Sequence, residues 1–95
     1  MTNIQNIFDE NDELLGIFVK SMTNLDDRTF ISDDNANLQI GVFNYKKPHK
    51  IKKHKHNIIE RKVDRTQEFL MVLSGEMEAN IYSDEGTFIC NISLT

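Results

Sequence analysis

Apolar and polar residues alternate with a period of two in three runs of this chain from residue 38 on, and no convincing amphipathic helix follows residue 13. Leu38, Ile40 and Val42 alternate with Gln39, Gly41 and Phe43. Met77, Ala79 and Ile81 alternate with Glu76, Glu78 and Asn80, and Phe88, Cys90, Ile92 and Leu94 repeat the pattern. Successive side chains of an extended backbone point to opposite faces, so each run predicts a strand. The fold class expected is all-β, a sandwich or barrel of short strands.

The remaining elements follow from run length and turn chemistry. Residues 1–13 are polar and acidic and are expected to be flexible or to form a short helix near Ile7 and Phe8. Residues 14–95 are expected to form one β domain. Leu14–Val19 is a short apolar run bounded by acids and by Lys20-Ser21, which favours a strand. Thr23 to Asn37 reads as loops around a very short strand at Phe30-Ile31. The strand that begins at Leu38 ends by Pro48, the only proline, which cannot donate to a ladder. Gln67 to Ser74 is a further strand, joined tightly through Ser74-Gly75 to the one containing Met77. Asp84-Glu85-Gly86 is a hairpin signal, and Thr87 to Leu94 completes a three-strand meander.

The strand from Gln67 to Ser74 is apolar on both sides. Glu68, Leu70 and Val72 fall on one face, and Phe69, Met71 and Leu73 on the other. A strand with one wet face does not carry this pattern, so something must cover the second face. Either the segment Leu14–Val19 or the same strand of another subunit would serve, and a homodimer is expected on this ground. A chain of 95 residues forms one domain at most and buries a modest core, which a partner would enlarge.

Composition excludes several classes. No apolar stretch is long enough to span a bilayer, and the start has neither a basic leader nor an apolar signal-type run, so no membrane is implied and a cytoplasmic location is the default. Cys90 is the single cysteine, which excludes a disulfide framework, and its place in the alternating series suggests a buried, inert thiol. Asn91-Ile92-Ser93 fits a glycosylation pattern that is common by chance.

The net charge of −4 conceals a segregation. Residues 1–37 carry eight acids and two bases, residues 38–65 nine bases and two acids, and residues 66–95 five acids and no base. The central stretch of seven net positive charges can attract a phosphate, a nucleotide or an acidic partner, can pair with the acidic flanks, or can simply be solvated. Interleaved aromatics and a recognition helix are missing from the pattern, which ranks nucleic acid last among the partners.

The stretch His54 to Gly75 carries a resemblance. His54-Lys55-His56 supplies an H-x-H pair, and Glu68 followed by six residues and Gly75 supplies E-x6-G. These residues resemble the first motif of small single-domain cupins, jelly-roll proteins in which two histidines and a glutamate bind a divalent metal. The wider stretch to Gly86 looks like small cupins of bacterial surface-polysaccharide and nucleotide-sugar genes, where a long loop between H-x-H and Glu is usual. Eleven residues separate His56 from Glu68, Gly41 stands twelve residues ahead of His54, and the second cupin motif with its further histidine is missing. The resemblance covers residues 38–95. It implies the first half of a cupin-like jelly roll, incomplete or truncated at the C-terminus or completed by a second subunit, because a closed jelly roll needs about eight strands.

The resemblance assigns His54, His56 and Glu68 as metal ligands. Independently, His54 and His56 share one face of an extended chain, and a neighbouring strand can bring a carboxylate to them. Two imidazoles and one carboxylate suit Fe(II), Mn(II), Ni(II) or Zn(II). The alternative is that both histidines are exposed members of a Lys-rich loop. Arg61 is a candidate for bidentate contact with a phosphate or carboxylate, His49 for a further ligand or anion contact, and Tyr82 and Tyr45 for a pocket lining, against solvated-loop or packing roles for each. Three functions are compatible with these residues. They are a cupin acting on a small polar or sugar-derived ligand in polysaccharide or nucleotide-sugar metabolism, a non-catalytic cupin binding or accessory module, and a nucleic-acid or phosphate binder using residues 46–65.

Overall fold

A computed structural model describes residues 3–22 and 25–95. The chain divides into two compact units, one comprising Met1–Met22 with Glu68–Thr95 and the other Thr23–Gln67. The described residues contain no helix and form six strands: β1 (Ile4–Phe8), β2 (Leu14–Val19), β3 (Arg28–Phe30), β4 (Gly41–Phe43), β5 (Met77–Tyr82) and β6 (Phe88–Leu94). These pair as three antiparallel two-stranded sheets, β1-β2, β3-β4 and β5-β6. The all-β expectation holds, and no barrel closes among the described residues.

In the first unit β1 and β2 form a hairpin in which Ile4 faces Val19 and Ile7 faces Gly16, with a bulge before Phe8 meets Leu14. Strand β1 replaces the flexible or short helical segment expected near Ile7 and Phe8. The acids that suggested disorder make the turn. The Asp9 carboxylate accepts hydrogen bonds from the amides of Asn11 (2.7 Å) and Glu13 (2.9 Å), the Asp9 amide donates to the Glu13 carbonyl, and Asp12 takes a positive φ of 62°. Aspartate tolerates that region better than most residues and closes such turns through its side chain. Ile7 is 5% exposed and is the buried apolar side chain among the described residues.

The β5-β6 hairpin matches its sequence signal. Its turn is held by the Thr87 amide on Ser83 Oγ (3.2 Å) and by the amides of Ser83 and Gly86 on the carbonyls of Thr87 and Ser83, with Ser83 buried and Gly86 at φ 87°. Glycine adopts that φ without steric cost, whereas an L side chain there costs about 1 kcal/mol or more. Gly86→Ala is accordingly expected to lower unfolding free energy by about 1 kcal/mol, read as a reduced denaturant midpoint at unchanged m-value. Across the strands Asn91 Nδ2 donates to Asn80 Oδ1 at 2.8 Å, and Tyr82 meets Phe88 edge to face. Cys90 is half-buried rather than fully enclosed.

The segment 67–74 departs from expectation. It belongs to none of the three sheets, so the expected meander reduces to the β5-β6 hairpin. Phe69 is 62% exposed, Met71 60% and Leu73 88%, and only Val72 is half-buried. Apolar alternation on both faces reports the environment a segment suits. It does not guarantee that its own chain provides that environment.

In the second unit Arg28 faces Phe43, Thr29 faces Val42 and Phe30 faces Gly41. Strand β4 is shorter than the expected run from Leu38 because Gln39 is used by the preceding loop. Its side-chain amide donates to the carbonyls of Asp33, Asp34 and Ala36 at 2.9–3.2 Å. The missing side chain at Gly41 lets the Phe30 ring lie over the backbone, where an added Cβ would sit 3.0 Å from Phe30 Cε1. Phe30 and Phe43 then meet edge to face at 6.4 Å. Residues 46–67 continue as exposed chain outside any strand.

Candidate functional site

His54 and His56 lie in the exposed stretch of the second unit, and their rings are 5.8 Å apart at 73°. The i, i+2 spacing of an extended backbone accounts for this approach. His54 Nδ1 is 2.9 Å from the carbonyl oxygen of Lys52. A carbonyl only accepts, so this hydrogen bond requires the proton on Nδ1 and leaves the Nε2 lone pair of neutral His54 unused. Metal-binding histidines are commonly held in this manner, with one ring nitrogen donating to a backbone carbonyl and the other facing the ion. The hydrogen bond fixes the orientation of one imidazole of the pair, that of His54.

The third expected ligand is not grouped with them. Glu68 belongs to the other unit, and among the described residues no three His, Cys, Asp or Glu side chains form a set able to hold a metal. An eleven-residue connection leaves the position of Glu68 relative to His56 open at the level of sequence, since flexible chain of that length closes many geometries at similar cost.

The other candidate residues separate. The Arg61 guanidinium donates to the Asn35 carbonyl, which ties the basic stretch to the loop ahead of β4 and occupies part of its fork. Lys62 pairs with Asp64 at 3.4 Å, a highly exposed ion pair that contributes little to stability. Tyr82 sits in the other unit against Phe88. His49 stacks on Tyr45 at 4.0 Å and 14°, and Tyr45 stacks on Phe43 at 6.0 Å and 20°. Sequence pattern did not reveal this stack. The available signal was Tyr45-Lys46-Lys47-Pro48-His49, in which the chain bends at Lys46 and Lys47 and returns His49 to Tyr45.

Two clefts accompany these features. One, of about 440 Å³, lies in the first unit between β1-β2 and β6 and is lined in part by Lys20, Cys90, Asn91 and Ser93. It contains none of the residues singled out from the sequence as ligands. The other, of about 550 Å³, is lined by Asp27, Tyr45, Lys46, Lys47, Pro48 and His49. No helix of the described residues is long and apolar enough to cross a membrane. Comparisons with protein-family models, curated proteins and solved structures found no match to this chain.

Proposed function

We propose that this β protein is a small cupin-like module that takes a small polar or sugar-derived ligand at a divalent metal, acting as a cytoplasmic homodimer in bacterial polysaccharide or nucleotide-sugar metabolism. The observation that carries the reading is the His54-His56 pair, with His54 Nδ1 engaged by the Lys52 carbonyl and its Nε2 left for an ion. Glu68 is the carboxylate that the cupin resemblance assigns as third donor. Two imidazoles and one carboxylate leave open positions for a small ligand on Fe(II), Mn(II), Ni(II) or Zn(II). The homodimer is supported by the exposed apolar side chains of residues 69–73, which a second copy would remove from water.

Metal analysis of protein purified without a histidine tag tests this reading. Wild type is expected to retain close to one equivalent of a divalent ion after dialysis, and His54→Ala and Glu68→Ala are each expected to lower affinity at least tenfold. Wild-type protein that binds no ion, or binding indifferent to both substitutions, would remove the metal from the proposal.

A further inference from the structure

The stack Phe43-Tyr45-His49 and the cleft beside it form a second feature, independent of His54, His56 and Glu68. Three rings lie in series, with interplanar angles of 20° and 14°, and His49 at the end of the series is exposed. Lys46 and Lys47 line the cleft with Tyr45 and His49, and both lysines are exposed. One acid, Asp27, shares the lining. The cleft is an open surface feature, which suits a ligand that lies along the chain rather than one enclosed by it.

The chemistry of such a site is specific in two respects. Tyr45 lies between the rings of Phe43 and His49, so the surface the stack offers to another planar group is the outer face of the exposed His49 imidazole. Ammonium groups beside it attract an anion attached to that planar group. A nucleobase linked to phosphate has both parts. Residues 50–55 then continue the positive charge along exposed chain, with Lys50, Lys52, Lys53 and Lys55 as its bases. One mononucleotide does not use that length of positive charge. A single strand carrying successive phosphates does, since single-strand binders combine stacking platforms with a basic track along the backbone.

We propose that His49, backed by Tyr45, forms a base-stacking platform for single-stranded nucleic acid, with Lys46 and Lys47 at the adjacent phosphates and the bases of residues 50–55 along the strand. The aromatics missing from the sequence pattern of the basic region are supplied by the fold, through Phe43 and Tyr45 at its edge and the return of His49 after the bend at Lys46 and Lys47.

Fluorescence anisotropy of the full chain with a labelled ten-residue oligothymidylate, at low and moderate salt, tests the proposal. Binding is expected to weaken as salt rises, because phosphate contacts release counterions. His49→Ala and Tyr45→Ala are each expected to weaken binding about tenfold, while Tyr45→Phe restores it, since stacking needs the ring and not the hydroxyl. Because His49 is exposed, His49→Ala tests the platform without disturbing a core, and circular dichroism checks that the fold is kept. Inorganic polyphosphate competing as well as the oligonucleotide, together with wild-type affinity in His49→Ala, would overturn the platform in favour of simple charge attraction. Adenosine monophosphate binding as tightly as the oligonucleotide would overturn the single-strand assignment in favour of a mononucleotide site. No detectable oligonucleotide binding at low salt would overturn the proposal altogether.

Discussion

Phe69→Lys combined with Met71→Lys is expected to convert the proposed dimer to a monomer of 11.1 kDa, read by sedimentation equilibrium. Phe69 and Met71 are 62% and 60% exposed in the single chain, in a segment paired with none of the sheets. Burying a large apolar side chain fully contributes about 1.5–3 kcal/mol. Each is already partly shielded, so four such side chains across a symmetric contact supply on the order of 4–6 kcal/mol, or about a thousandfold or more in dissociation constant. The lysines also place like charges opposite one another across a twofold axis. A matched control, Lys50→Ala with Lys52→Ala, changes exposed bases outside the apolar segment and is expected to leave the mass unchanged. If wild type sediments as a monomer at every concentration reached, the homodimer is overturned.

Ile7→Ala is expected to have the largest effect on stability. Ile7 is 5% exposed, opposite Gly16 in the β1-β2 hairpin, while its neighbour Phe8 is 47% exposed. Truncating a buried isoleucine costs about 2–5 kcal/mol, from lost transfer energy and from the cavity left behind. A 95-residue chain has total stability on the order of 5–14 kcal/mol, so the loss is a large fraction of the whole. The melting temperature followed by circular dichroism is expected to fall by about 10 °C or more, since each kcal/mol corresponds to about 4–8 °C at this size. Phe8→Ala, which removes more atoms from a half-exposed position, is expected to cost less than Ile7→Ala. The reverse order would show that the first hairpin is not organised around Ile7.

These expectations rest on features of unequal legibility in the sequence. The β5-β6 hairpin was readable because strict alternation meets a glycine that must take positive φ, and both signals are local. Strand β2 was readable from its length and polar boundaries. Strand β1 was not, because Asp9 and its neighbours look like a solvated acidic tail until the Asp9 carboxylate is seen capping the amides of Asn11 and Glu13. Residues 67–74 show the opposite failure. Their alternation is real, but strand pairing needs a partner edge, which no property of the segment itself supplies.

The candidate metal site divides in the same way. The approach of His54 and His56 follows from extended-chain geometry at i, i+2 and was legible from spacing alone. The place of Glu68 depends on an eleven-residue connection and on how a separate unit is arranged, neither of which a spacing rule determines. The Tyr45-His49 stack depends on the bend at Lys46 and Lys47, and single residue types in a Lys-rich stretch do not announce it.

X-ray absorption at the metal edge of protein loaded with one equivalent of Zn(II) or Ni(II) tests the proposed site most directly, because it reports the donor atoms themselves. The expected result is two imidazole nitrogens at about 2.0–2.1 Å plus oxygen donors, with one imidazole lost in His54→Ala and one in His56→Ala. A first shell without imidazole, or one unchanged by either substitution, would contradict the assignment of His54 and His56 as the metal-binding pair.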